Sequence, residues 1–557
     1  MILRLVPAAL SLAFTMSVFA ADPAYDVVLR GGKVVDGTGN PWFYGDVGVR
    51  ADKIANIGHV PAGAGKREID AKGLVVAPGF IDMHAHSDWL LIEDGDAQSK
   101  IRQGVTTEVL GEGGSAAPWK GKLVPHRIAV SNRTAMIVTM TDYFKTLEES
   151  HIAVNVVSYV GLNNIWQSVM GQSFARPTKD ELEKMKALLR EGMEQGAFGL
   201  SSQVMMPPGS LATTDELVAL CGVVRELGGI YATHIRNEGL GVFDSVQEVI
   251  EIAERAKVTA DILHLKIADE KYWGRMNEVV GLIDQARTRG INVQANVYPY
   301  TRGNNNLSSI IPPWAHEGGR ARMLERLRDP ATRAKIKQDI RNGIAGWYNH
   351  YTAVGGDWSR MLVSDSNKYK GKTMDQVIAD VSKNQSPPPD PLDAMFDLLI
   401  ASEGSVGIVY AHHTEKDMTL ALAQPWCSIG SDGSAYAIEG PLRRGNPHPR
   451  NFGTFPRVLG VYTREQNLLT LEDAVRKMTS LNAAKLGILD RGLLRSGSFA
   501  DITIFDAERV IDRSTYTDPF HYSEGIAYVI VNGEVVLDQG KHTGKRPGRA
   551  LKRPAKQ

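Results

Sequence analysis

A chain of 557 residues is longer than one ordinary core holds, which leaves two domains or one barrel with additions. Its 63 Lys and Arg balance 63 Asp and Glu, and a pI near 7.3 excludes the electrostatic footprint of nucleic-acid or anionic-membrane binding, so the expected partner is a small molecule. Cys221 and Cys427 are its only cysteines and lack zinc-knuckle or redox spacing, which excludes a disulfide scaffold; both read as buried thiols, with a disulfide between them left open.

In chain order, Arg4 precedes an apolar stretch from Leu5 to Phe19, with Val18 and Ala20 at small-residue positions. This pattern predicts a secretory leader, cut after about Ala20, and export to the periplasm or beyond; an uncleaved anchor is the alternative. No other run approaches membrane length, so no stable membrane span is expected. Short Val/Ile-bearing segments then alternate with turn residues over 21–78, and the style returns over 489–557. There Asn532-Gly533 separates Val529-Ile530-Val531 from Glu534-Val535-Val536, a hairpin signal. Two incomplete sheets at opposite ends are expected to complete each other as one small antiparallel β domain, a β-sandwich.

Between them, over 79–488, strands alternate with helices, the pattern of parallel βα units. Eight candidate strands, the barrel number, start with Phe80–His84 and end with Cys427–Ser431. Val406–Ala411 is a ninth candidate that leaves the seventh position open. Capping boxes at Thr178–Glu181 and Thr213–Glu216 open two of the helices. The fold class is therefore α/β, a (β/α)8 TIM-like barrel. Residues from about 303 to 395 break the rhythm and predict an insertion, a lid over the barrel mouth.

Barrel active sites lie at the C-terminal ends of the strands. The first strand ends in His84-Ala85-His86, whose period-2 spacing turns both imidazoles to one face. The second ends in Gly111-Glu112-Gly113-Gly114, the fifth in His234, the sixth in His264 and the eighth in Asp432. Each alone has an ordinary reading: a solvated strand end, a hydrogen-bonded core histidine, a loop charge, a helix cap. Together they predict a binuclear metal site. His84 and His86 would hold one ion and His234 and His264 the other; a carboxylate would bridge, and Asp432 would touch the first ion and the water. Imidazole and carboxylate suit Zn2+, with one or two ions per chain.

The His84-Ala85-His86 strand resembles that of the amidohydrolase superfamily. The stretches Gln103–Thr107, Glu194–Ser202, Ala232–Glu238, Ile262–Lys266, Tyr298–Thr301, Gly430–Gly433, His448–Phe455 and the tail from Ala500 to Gly533 resemble its N-acyl-D-amino-acid deacylases, or D-aminoacylases. The resemblance covers essentially the whole chain after the leader. It implies amide hydrolysis by a metal-activated water, with Asp432 as the catalytic base and acid and no Ser or Cys nucleophile. It places Lys266, Tyr298 and Arg450 in motifs that line the substrate pocket.

Two departures stand out. Where D-aminoacylases have Asn-Cys-Gly with the cysteine bridging the metals, this chain has Glu112, the expected substitute; Glu108, earlier in the strand, is the second choice. Where they show a Tyr before paired prolines, this chain has Met206 next to Pro207-Pro208, expected at the substrate without the hydroxyl. A dipeptidase or other linear or cyclic amide hydrolase on the same site, and a non-enzymatic metal-binding barrel, are the rival readings. Oligomeric state has no signal in the sequence.

Overall fold

The structure, a computed structural model, describes residues 24–130, 133–366, 368–383 and 385–553; the expected leader lies outside them. Among the described residues no helix is long and apolar enough to cross a membrane.

Both chain ends build one nine-stranded sheet. Its seam is Val75–Pro78, which runs antiparallel to Ile502–Phe505. Val27, Leu29, Val47 and Ile54 from the front of the chain share a core with Ile502, Ile504 and Ile530 from its end. The Asn532-Gly533 hairpin forms between Ile526–Val531 and Glu534–Asp538, both turn residues adopting positive φ, 47° and 83°. The sheet is mixed where an antiparallel unit was expected: Tyr25–Val34 pairs parallel with Gly65–Asp70 and with Val75–Pro78. The intervening strands Phe43–Arg50 and Lys53–Gly58 form a hairpin, which returns the chain in its original direction.

The eight barrel strands are Phe80–Asp82, Val105–Leu110, Asn155–Ser158 continuing in Val160–Gly161, Gly199–Gln203, Ile230–His234, Thr259–Ile262, Val293–Val297 and Cys427–Ile429. Neighbours pair in parallel. Closure comes from the Met83 N–H to the Ile429 carbonyl and a parallel bridge between Ala85 and Gly433. Thr178 and Thr213 cap their helices, each reciprocated by a glutamate three residues on. The eighth strand needs a glycine where it passes the first: a Cβ on Gly430 would lie 2.8 Å from that of His84.

Val293–Val297 pairs directly with Cys427–Ile429, so the ninth candidate has no place in the barrel. Gly407–Tyr410 is instead the middle strand of an antiparallel sheet with Gly303–Asn306 and Met361–Asp365. This sheet belongs to the insertion, which therefore closes beyond the expected limit of 395. The insertion has its own core, with Leu307, Met323, Ile336, Met361, Phe396 and Ile408.

Candidate metal centre

His84 and His86 follow the first strand, and the backbone beyond it is fixed from the eighth: the Asp432 N–H donates to the His84 carbonyl at 2.7 Å, and the His86 N–H donates to that of Gly433 at 2.9 Å. Asp432 and His264 both hold left-handed backbones, φ 51° and 39°, which a residue with a side chain adopts at a cost of about 1–3 kcal/mol. Side-chain anchors hold these turns. The Asp82 carboxylate accepts the Ser431 N–H at 2.7 Å, and Asn296 Oδ1 accepts the His264 N–H at 3.0 Å.

Glu112 occupies the centre. Gly111 and Gly113 on either side have φ 94° and 59°, so the chain turns sharply and projects the one side chain inward. Its Oε2 lies 2.7 Å from His84 Nε2 and 3.1 Å from His86 Nε2. Its Oε1 lies 3.2 Å from His234 Nδ1 and 3.6 Å from His264 Nε2. One carboxylate thus addresses each histidine pair with a separate oxygen. Asp432 closes the first group, its Oδ1 being 2.9 Å from His86 Nε2 and its Oδ2 2.7 Å from Arg450 Nη1.

The donor atoms of His84, His86, Glu112 and Asp432 lie within 4.8 Å of one another, as do those of Glu112, His234 and His264. Burial alone would raise the Glu112 and Asp432 pKa values, but His84 and the other histidines at Glu112, and Arg450 and His84 at Asp432, outweigh it, so both carboxylates stay ionised. Burial opposes a charge on His86, yet hydrogen bonds to Asp432 and Glu112 bring its pKa to about 10. That negative field, together with a buried His234 Nε2 that has no hydrogen-bond partner, suits a divalent cation.

Residues 67–537 match the amidohydrolase family. The chain is 34% identical over 533 residues to an N-acyl-D-glutamate deacylase of Alcaligenes xylosoxydans xylosoxydans, covering 95% of this chain and 97% of that one. It is likewise 34% identical to a D-aminoacylase of the same organism, covering 95% and 98%. The crystal structure of the Bordetella bronchiseptica N-acyl-D-glutamate deacylase, in complex with zinc and a phosphonate mimic of the tetrahedral intermediate, superposes with a TM-score of 0.78 at 32% identity, over 95% of this chain and all of that one. The chain belongs to the D-aminoacylase family of amidohydrolases. It is an enzyme, a hydrolase of amide bonds.

Among amidohydrolases of this family, the expected bridge position carries Glu112 here, and Glu108 does not compete for it. Glu108 is sealed inside the barrel against Lys100, 3.1 Å away, and the Ser87 hydroxyl. Lys266 lies beside the centre, its Nζ 2.6 Å from Glu238 and 2.7 Å from His264 Nδ1. Tyr298 stands between the two cations, with Lys266 Nζ 5.7 Å and the Arg450 guanidinium 4.8 Å from its ring centroid and its buried hydroxyl unpartnered.

Met206 is not among the residues that line the cavity; it is half-buried and packs with Met205, Ala268 and Tyr348. Two groups escaped the sequence reading. Glu238 accepts from Lys266 and lies 3.1 Å from His264 Nδ1, and its four-residue spacing from His234 was the available signal. His350 and His412 reach the mouth from the insertion side, with His413 behind them, and two histidines directly after a strand were the cue.

Proposed function

We propose that this chain is a zinc-dependent amidohydrolase that removes the acyl group from N-acyl-D-amino acids or close relatives, with one or two zinc ions held by His84, His86, Glu112, His234, His264 and Asp432. The observation that carries this reading is Glu112, which offers one oxygen to each histidine pair. Zinc bound there would acidify a water and polarise the scissile carbonyl.

The chain's own residues supply the rest. Lys266 and Arg450 can hold the substrate carboxylate while keeping their pairs with Glu238 and Asp432, since Arg450 Nε is buried without a hydrogen-bond partner. The Tyr298 hydroxyl, buried beside them, is a free donor for an oxygen of the substrate. Asp432, ionised and anchored by Arg450, accepts the proton that the attacking water loses. It then delivers that proton to the departing nitrogen as the C–N bond breaks, leaving a carboxylate and a free amine.

The test joins metal analysis to kinetics over N-acyl-D-, N-acyl-L- and dipeptide panels. We expect at least one zinc per chain and the highest kcat/KM on an acyl-D substrate. Preference for acyl-L substrates or dipeptides would replace the deacylase reading by a peptidase-type amidohydrolase. Less than one zinc per chain, with no activity gained on adding metal, would replace it by a binding barrel. Export belongs to the same proposal and rests on the apolar leader before Ala21. N-terminal sequencing should begin near Ala21 in the periplasmic or extracellular fraction; intact Met1 there would refute cleavage.

A further inference from the structure

Beyond the metal centre the mouth widens into a cavity of about 410 Å3, whose far wall includes Asn304, Asn305, Asn306, His350, Tyr410 and His412 from the insertion or its edge. Hydrogen bonds fix what this wall presents. His413 Nε2 lies 2.8 Å from the Tyr300 carbonyl, which can only accept, so Nε2 carries the proton and Nδ1 keeps a lone pair. His412 Nδ1, 3.0 Å from that lone pair, must then be the N–H, which leaves His412 Nε2 as an acceptor. Among the described residues His412 Nε2 has no hydrogen-bond partner, and His350 Nδ1 is buried without one. Burial above all keeps these imidazoles neutral, and it brings the pKa of His350 and His413 to about 3.

The asparagines present the opposite polarity. Asn305 Oδ1 accepts the Asn306 N–H at 2.8 Å and Asn306 Oδ1 accepts the Ser308 N–H at 2.9 Å, so both carboxamide oxygens are engaged and both NH2 groups remain to donate. Every cation of the cavity already has a carboxylate: Lys266 has Glu238 at 2.6 Å, Arg450 has Asp432 at 2.7 Å and Arg444 has Glu93 at 3.2 Å. The exposed Asp365 adds a further negative charge at the rim.

We propose that this wall is a specificity subsite for an uncharged substituent that both donates and accepts hydrogen bonds, a carboxamide or peptide group, on the substrate held at the metal centre. The proposal rests on the deacylase reading above, in which the substrate's own carboxylate engages Lys266 and Arg450. A second carboxylate would face the His412 Nε2 lone pair and Asp365 with no free cation. An aliphatic substituent would bury the His412 Nε2 acceptor and the asparagine NH2 groups unpartnered, the situation in which a polar site rejects an apolar analogue most strongly. This separates the chain from relatives named for glutamate and aspartate substrates.

The experiment uses two near-isosteric series on the zinc-loaded enzyme. One varies the amino acid: N-acetyl-D-glutamine, N-acetyl-D-glutamate and N-acetyl-D-methionine. The other varies the acyl group on D-alanine: succinamoyl, succinyl and pentanoyl. In at least one series the carboxamide should exceed both analogues by about tenfold or more in kcat/KM. His412→Leu should reduce that preference to within roughly twofold, while His412→Gln, which keeps an acceptor, retains most of it. His350→Phe serves as the same test if His412→Leu does not fold. A carboxylate or apolar member that equals the carboxamide in both series overturns the subsite, as does a preference untouched by the folded His412→Leu and His350→Phe. If no compound is hydrolysed, the deacylase reading fails instead, and the calorimetric binding order of the same six compounds then decides the subsite by the same criterion.

Discussion

Glu108 and Glu112 are four residues apart in one strand and its end, both buried, and they belong to two regions that treat charge oppositely. In the barrel interior each buried carboxylate meets a buried ammonium. Lys100 Nζ lies 2.8 Å from Asp82, 3.1 Å from Glu108 and 2.9 Å from the Ser431 hydroxyl. Lys485 Nζ lies 2.6 Å from Asp261, 2.7 Å from the Ala295 carbonyl and 2.8 Å from the Ser428 hydroxyl. At the mouth Glu112, Asp432 and Glu238 converge on imidazoles, whose charge depends on pH and on what they bind, and among the described residues Lys266 and Arg450 are the permanent cations in contact with them. Buried charge in itself therefore does not mark the site. A surplus of one sign does, because only a ligand from outside can balance it. The two regions are also coupled, since Asp82, held by Lys100, anchors the Ser431 amide next to Asp432.

Replacing Glu112 breaks the mouth and spares the interior. Glu112→Ala should lose bound metal and lower kcat/KM by at least about 10^4-fold, since acidification of the water and the geometry for Asp432 both go. Full activity with metal retained would mean that another residue bridges. Lys485→Met inverts the pattern. It strands Asp261 without its cation and should cost about 3–5 kcal/mol of unfolding free energy in denaturant titration, with metal content per folded chain unchanged. A variant as stable as the wild type would erase the distinction between the regions.

The strand ends of the mouth were legible because a barrel imposes a period: each βα unit delivers one side chain at the same level, and His84, His86, His234, His264 and Asp432 fall there in order. Glu112 was legible from its place at the end of the second strand, where the D-aminoacylase pattern has its cysteine. The insertion was legible only as an interruption. Its strands pair antiparallel across long sequence gaps, so Gly407–Tyr410 has the same apolar signature as a barrel strand, and its partners Gly303–Asn306 and Met361–Asp365 assign it elsewhere. His350 and His412 therefore had no register to place them. The parallel pairing in the terminal sheet was hidden for the same reason, being decided by which strands meet rather than by what each contains.

The neutral histidines of the insertion wall give a third behaviour, measurable by pH. His350 and His413 have native pKa values near 3, below the value of about 6.5 in an unfolded chain. Between those limits the unfolded state binds more protons, so stability is complete above pH 6.5 and falls as the pH is lowered, by about 1.4 kcal/mol per unit for each histidine. His350→Phe should reduce the slope of unfolding free energy against pH by that amount between pH 4 and 6. An unchanged slope would mean that His350 is already protonated in the folded protein.

The smallest expected effect concerns sulfur. The D-aminoacylase pattern puts a cysteine where Glu112 stands, and a bridging thiolate would make the mouth a target for alkylation. Here Cys221 lies within the helix Thr214–Glu226 and Cys427 opens the eighth barrel strand, both fully buried. Burial raises the Cys221 thiol pKa strongly and brings that of Cys427 to about 11, so neither offers an appreciable thiolate fraction near neutral pH. Iodoacetamide should leave the activity of the folded enzyme within roughly twofold of its starting value, with or without chelator. Glu112→Cys sharpens the contrast by returning sulfur to the centre. Its thiol should be alkylated rapidly in the metal-free form and protected when zinc is restored, because a thiolate engaged by metal is not free to react. Rapid inactivation of the unmodified chain would instead show that one of the buried thiols becomes accessible at the mouth, and the assignment of its chemistry to oxygen and nitrogen donors alone would fail.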